Sequence, residues 1–141
     1  MHDHTSLQRG SDAATSPVVT VVSSHDAPPV PATAELMTIH VALPPGSAGT
    51  PPHRHSGPAF GYVIRGEMLF ELEGEPERVI PAGGSFWEPG GDRIHYQDAN
   101  NSLDTVTEFV VMMFGVPGEP MLTLVDPDEL EARRPQRAPR P

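Results

Sequence analysis

Proline and glycine interrupt this chain so often that long helices are excluded. There are 18 prolines and 13 glycines among 141 residues. Inside a helix, proline removes a hydrogen bond and glycine costs about 1 kcal/mol relative to alanine. Many of the prolines lie toward the two ends, and the others punctuate short apolar runs. "ELMTIHVALPPG" alternates, with Ile39, Val41 and Leu43 on one face and Thr38 and His40 on the other. "FGYVIRGE" and "MLFELEGE" read as two strands joined tightly around Gly66. In the second, Met68, Phe70 and Leu72 form an apolar face, and Leu69, Glu71 and Glu73 a mostly polar one. "PVVTVV" reads as a first strand, "DTVTEFVVMMFG" as a long central one and "PMLTLV" as the last, while "DPDELEARR" opens with Asp-Pro and suits a helical turn or two. Many short strands separated by turn residues predict an all-β sandwich or barrel. The expected organisation is a disordered polar arm over 1–17, a β-barrel domain over 18–126, and a short helix with a basic, proline-rich tail over 127–141.

Composition narrows the chemistry. Hydrophobic residues make up 37% of the chain, enough for one domain with a real core. There is no cysteine, so any metal must be held by nitrogen and oxygen. Acidic residues outnumber basic ones 19 to 9, for a net charge of −10. Nucleic-acid binding draws on basic patches, and the basic cluster here is the terminal "ARRPQRAPRP", so no nucleic-acid partner is expected. The first residues lack a basic segment followed by an apolar run. No apolar run approaches the roughly 18 residues of a membrane helix. A cytoplasmic protein with no membrane partner is the expectation.

The stretch "TPPHRHSGPAFGYVIRGE" carries the chemistry. His53 and His55 are one residue apart, and on an extended chain residues i and i+2 point to one face. Alone they would pass for surface histidines in a proline-rich loop. His95, in "WEPGGDRIHYQDAN", supplies a third imidazole from a later strand. Three imidazoles suit zinc, iron, copper or nickel, and leave coordination positions open. His40 is a further candidate ligand, though an ordinary strand histidine is its plainer reading. His2, His4 and His25 lie in polar segments and are given no role.

These residues resemble the cupins, small jelly-roll β-barrels. Their first motif runs glycine, His-x-His, glutamate, glycine, and Gly46, His53, His55 and Gly66 follow it, with Gly46 one residue further away than usual. Where the glutamate belongs stands Ala59. The second motif runs glycine, proline, glycine, histidine, asparagine. Gly83, Pro89, Gly91, His95 and Asn100 follow it, with one extra residue on each side of His95. The resemblance spans Leu36 to Val125 and implies a jelly-roll sandwich with flexible N- and C-terminal tails. It also implies one divalent ion (Fe, Zn, Ni, Mn or Cu) on His53, His55 and His95, and a homodimer.

The absent glutamate has a chemical consequence. Three neutral imidazoles leave the ion its full +2 charge, which favours anionic, chelating substrates. Gln97, at i+2 from His95, is the first candidate to replace it. Glu88 ranks lower, since the Pro-Gly-Gly turn after it would have to fold back. Tyr96, beside a ligand, is a candidate proton donor, although alternation points it away from His95, and Gln97 is a second catalytic candidate. The barrel interior suits a small-molecule substrate. The expected function is dioxygenase-type oxygen chemistry on a chelating enolic, aromatic or carboxylate substrate. The alternatives are a non-redox Lewis-acid cyclase or isomerase, similar to aromatic polyketide cyclases, and a non-catalytic binding or sensing module.

Overall fold

The computed structural model describes residues 15–140. Nine strands precede one helix: β1 (Glu35–Leu43), β2 (His53–His55), β3 (Ala59–Arg65), β4 (Glu67–Leu72), β5 (Arg78–Pro81), β6 (Ser85–Glu88), β7 (His95–Asn100), β8 (Thr107–Gly115), β9 (Leu122–Leu124) and α1 (Pro127–Arg133). They form two antiparallel sheets. One has the order β1-β8-β3-β6 and the other β5-β4-β7-β2-β9. This is the all-β jelly-roll sandwich expected from the sequence, with β8 internal to its sheet. Residues 1–14 of the expected arm lie outside the described residues.

The core lies between the sheets and follows the strand period. Met68, Phe70 and Leu72 of β4 are buried against Val63, Phe86, Phe109, Val111 and Met113. The β3–β4 connection turns on Gly66, whose φ is +77°. A Cβ there would sit 2.4 Å from Thr107 Oγ1 and 2.7 Å from the Val106 carbonyl oxygen, so both the conformation and the space require glycine. Asn100 ties the loops together. Its side-chain amide donates to the carbonyls of Leu43, Pro44 and Thr105, while its Oδ1 accepts from Ser102 N and Thr107 Oγ1.

Two expectations need correction. "PVVTVV" forms no strand: Val18, Val19 and Val21 are 93%, 85% and 77% exposed. β-propensity reports fit to a pleated surface beside a neighbour, and no strand among the described residues pairs with this segment. The C-terminal tail, expected to be flexible, instead lies over the polar outer face of β4. Glu71 and Glu73 are 2% and 7% exposed because the C-terminal segment lies over them. Arg137 grips Glu71 through Nε and Nη2, both at 2.7 Å, and Gln97 donates to the same carboxylate at 2.6 Å. Arg133 pairs with Glu73, and Arg140 with Glu77 at 3.0 Å. Asp126 caps α1 by accepting from Glu129 N, and a 3-10 turn (Arg134–Gln136) follows the helix. The basic residues read as a flexible tail therefore serve as a strap. A sequence periodicity shows which face of β4 is polar, but not which remote arginines will neutralise it.

Candidate metal centre

His53 and His55 stand at the ends of β2, both buried and both on its inner face. Arg54 between them points outward, donating to both carboxylate oxygens of Glu129 on α1 at 3.0 and 2.5 Å. The helix thus fixes the strand that presents the imidazoles. His53 pairs in register with His95 of β7, and the ring centroids of the two lie 4.9 Å apart. Pro51 and Met121 carbonyl oxygens lie 2.8 and 3.1 Å from Nδ1 of His53 and His55. Carbonyls only accept, so each Nδ1 is the protonated nitrogen and each Nε2 is left as a donor for an ion.

The fourth member is Glu88. It ends β6, directly opposite Ala59 of β3 in the antiparallel register. Residues directly opposite project to the same face, with Cβ atoms about 4.5–5.5 Å apart. The carboxylate missing from position 59 therefore arrives from the neighbouring strand. The turn after Glu88 does fold back, since Gly91 N donates to the His55 carbonyl at 2.7 Å, but cross-strand register is what brings Glu88 in. Glu88 Oε1 lies 2.9 Å from His55 Nε2 and Oε2 lies 2.9 Å from His95 Nδ1. Its signal in the sequence was available: a strand-terminal glutamate in the pattern Ser-Phe-Trp-Glu, two residues after Phe86 and so on the same face as that core residue.

These four residues offer ligand atoms all within 4.8 Å of one another and could hold a metal ion. The set fits an ion by a second criterion. Glu88 Oε2 and both ring nitrogens of His95 are buried without a hydrogen-bond partner. Glu88 Oε2 and His95 Nδ1 are close yet not aligned to bond each other, and unsatisfied buried polar atoms are costly unless something else engages them. Electrostatics agree. Burial opposes ionisation of Glu88, but the adjacent His95 and His55 outweigh it and hold the carboxyl well below the usual range. Burial likewise disfavours charge on His95, yet Glu88, with a lesser contribution from Asp98, raises its pKa. His53 is lowered by burial and by His95. An ionised carboxylate among imidazoles is an N3O donor set, and its charge reduces a divalent centre from +2 to +1, not the +2 of a three-histidine site.

The other candidates stand elsewhere. Gln97 faces Glu71 and Glu77 on the outer side of the sheet. The cause is a bulge: β4 residues Glu71 and Leu72 are neighbours, while their β7 partners Gln97 and His95 are two apart. The extra residue reverses the alternation, so i and i+2 no longer share a face. Tyr96 is also on the outer side, packed with Ile94, Val125 and Leu130 beneath the Arg137 guanidinium, 4.3 Å from its ring centroid. His40 is exposed and pairs with Glu108 at 3.4 Å. His25 stacks on Trp87 at 4.9 Å, outside the group. The four ligands open into a cavity of about 70 Å³ whose walls are mostly apolar: Ile39, Val41, Phe86, Phe109, Val111 and Met113. Thr50 and Asp98 are its polar members beyond the four.

No curated protein matches the chain. Among solved structures, an oxalate oxidase in complex with the substrate analogue glycolate is 26% identical at a TM-score of 0.52, covering 70% of this chain and 56% of that one. The DMSP lyase DddQ from Ruegeria pomeroyi DSS-3 is 23% identical at a TM-score of 0.53, over 66% of this chain and 44% of that one. A cupin-like protein from Thermotoga maritima is 18% identical at a TM-score of 0.52, over 72% and 73% of the two chains. The chain thus spans about half the length of the enzymes it matches. The Cupin domain family model matches residues 39–113, more than half of the sequence. Two motifs in order, two facing antiparallel sheets and this match agree: the chain belongs to the cupin family.

Proposed function

We propose that the protein is a metal-dependent enzyme that carries out oxygen chemistry on a small chelating organic acid. The observation that carries this reading is the buried set of His53, His55, Glu88 and His95 opening into a small apolar cavity. On the measure in which one water occupies about 10–15 Å³, the cavity takes a ligand of roughly five heavy atoms. That favours a short carboxylate over a flat polyketide. Similarity to an oxalate oxidase holding glycolate supports the same class.

A bound divalent ion would supply Lewis acidity and, if redox-active, electrons for oxygen chemistry. The chain's own residues do the rest. Pro51 and Met121 carbonyls fix the orientation of the His53 and His55 rings. Glu88 supplies negative charge. The walls from β1, β6 and β8 exclude water and strengthen every electrostatic contact inside. His53, His55, Glu88 and His95 would hold such an ion and would leave it able to take a chelating acid as well.

The test is elemental analysis of protein purified without added metal, followed by oxygen-electrode assays with short 2-hydroxy and dicarboxylic acids. Near-stoichiometric metal with oxygen uptake is expected, and His95→Ala should lose both. Turnover without oxygen uptake would transfer the site to Lewis-acid chemistry, and ligand binding without turnover to a sensing role. A wild type that takes up no metal overturns the reading.

A further inference from the structure

Asp98 is the charged member of the cavity wall that the four-ligand set does not use. It is 8% exposed. It faces inward because it lies beyond the β7 bulge, in register with the core residue Phe70. Its Oδ1 accepts from Thr50 N at 2.6 Å. The loop before Thr50 is fitted around it: a Cβ on Gly49 would lie 2.2 Å from Oδ1 and 2.5 Å from the Asp98 carbonyl oxygen. Among the described residues, the partner of this carboxylate is thus a backbone amide and not a cation. Burying a carboxylate without a counter-charge is costly, and this one lines the same small, mostly apolar cavity as the four ligands.

Resting on the metal reading above, we infer that Asp98 is a specificity residue that selects singly charged acids bearing a hydroxyl group over dianions. Counting one negative charge for each of the carboxylates Glu88 and Asp98, a divalent centre and its cavity sum to zero. A monoanion that chelates through carboxylate and hydroxyl can present the hydroxyl proton toward Asp98. A dianion brings a second negative charge into the same small space. At an effective dielectric near 20, one added like charge a few ångströms away opposes binding by at least about tenfold.

The experiment uses the full chain loaded with Co(II), whose visible spectrum reports ligand binding without turnover. Glycolate and oxalate are the probes. Free divalent ions prefer the dianion, and the wild-type protein should lose or reverse that preference. Asp98→Asn keeps the acceptor for Thr50 N and should keep full cobalt content. In it, oxalate should bind about tenfold or more tightly than in wild type, with glycolate changed little or weakened. If cobalt binds and wild type follows the free-ion order, or if the oxalate-to-glycolate ratio is the same in a cobalt-replete Asp98→Asn protein, the inference is wrong and the metal reading stands. If wild type takes up no cobalt, both fall.

Discussion

Moving the carboxylate from Glu88 to position 59 tests whether cross-strand register, and not a particular strand, is what the metal centre requires. Ala59 and Glu88 are directly opposed on β3 and β6, and Ala59 is 1% exposed, on the same inner face. In Glu88→Ala, His55 Nε2 and His95 Nδ1 lose the oxygens that lie 2.9 Å from each. Removing a partner that only orients a ligand costs about 10–100-fold in metal affinity. Removing a direct anionic ligand should cost at least the upper figure, about 100-fold or 2.7 kcal/mol. Ala59→Glu alone should do badly, since it sets two carboxylates side by side in a dry site and overpacks it by about 1–3 kcal/mol. The double variant Ala59→Glu/Glu88→Ala conserves volume and charge. It should recover most of the lost affinity, because Cβ atoms about 5 Å apart let either side chain swing to a shared point. The assay is competition with a chromophoric chelator, with melting curves to certify folding. A folded Glu88→Ala that binds metal like wild type would refute the four-ligand centre. A folded double variant no better than Glu88→Ala would refute the register argument.

Arg137→Ala should lower stability by about 2 kcal/mol, because buried Glu71 loses a bidentate partner that is itself partly exposed. In a chain of this length that is a fall of roughly 5–10 °C in Tm, and an unchanged melt would show the strap to be passive. Burial opposes ionisation of Glu71, but Arg137 and Gln97 outweigh it and depress its pKa. A depressed carboxyl contributes stability that is present above its ordinary value near 4.5 and lost as pH falls through the folded value. Chemical denaturation from pH 7 to pH 3 should therefore show an acid loss that shrinks in Arg137→Ala, whereas equal acid losses would assign it to other groups. The expected homodimer has a candidate surface in Leu36, Tyr62, Ile64, Trp87 and Met112, which are 59%, 43%, 47%, 37% and 44% exposed on the outer face of one sheet. Sedimentation velocity should give twice the chain mass, with blue-shifted emission from Trp87 on association, and a monomer at all concentrations would remove the dimer.

Strand period, turn residues and the spacing of two motifs were enough to read an all-β jelly roll, its core face and the three histidines. Those features are local: alternation on one strand places His53 and His55 together whatever lies around them. The arrival of Glu88 opposite Ala59, the outward turn of Gln97 and the arginine strap were not legible, for one physical reason. Each depends on which residue lies opposite across a strand pair or a folded-back terminus. Register places Glu88 against Ala59, so an apparent vacancy in β3 is filled from β6. One extra residue in β7 turns Gln97 outward and Asp98 inward. The C-terminal segment reaches β4 over a separation of 66 residues to neutralise Glu71. Side-chain period is a property of the chain, whereas register, bulges and long-range charge pairing are chosen by the packed fold.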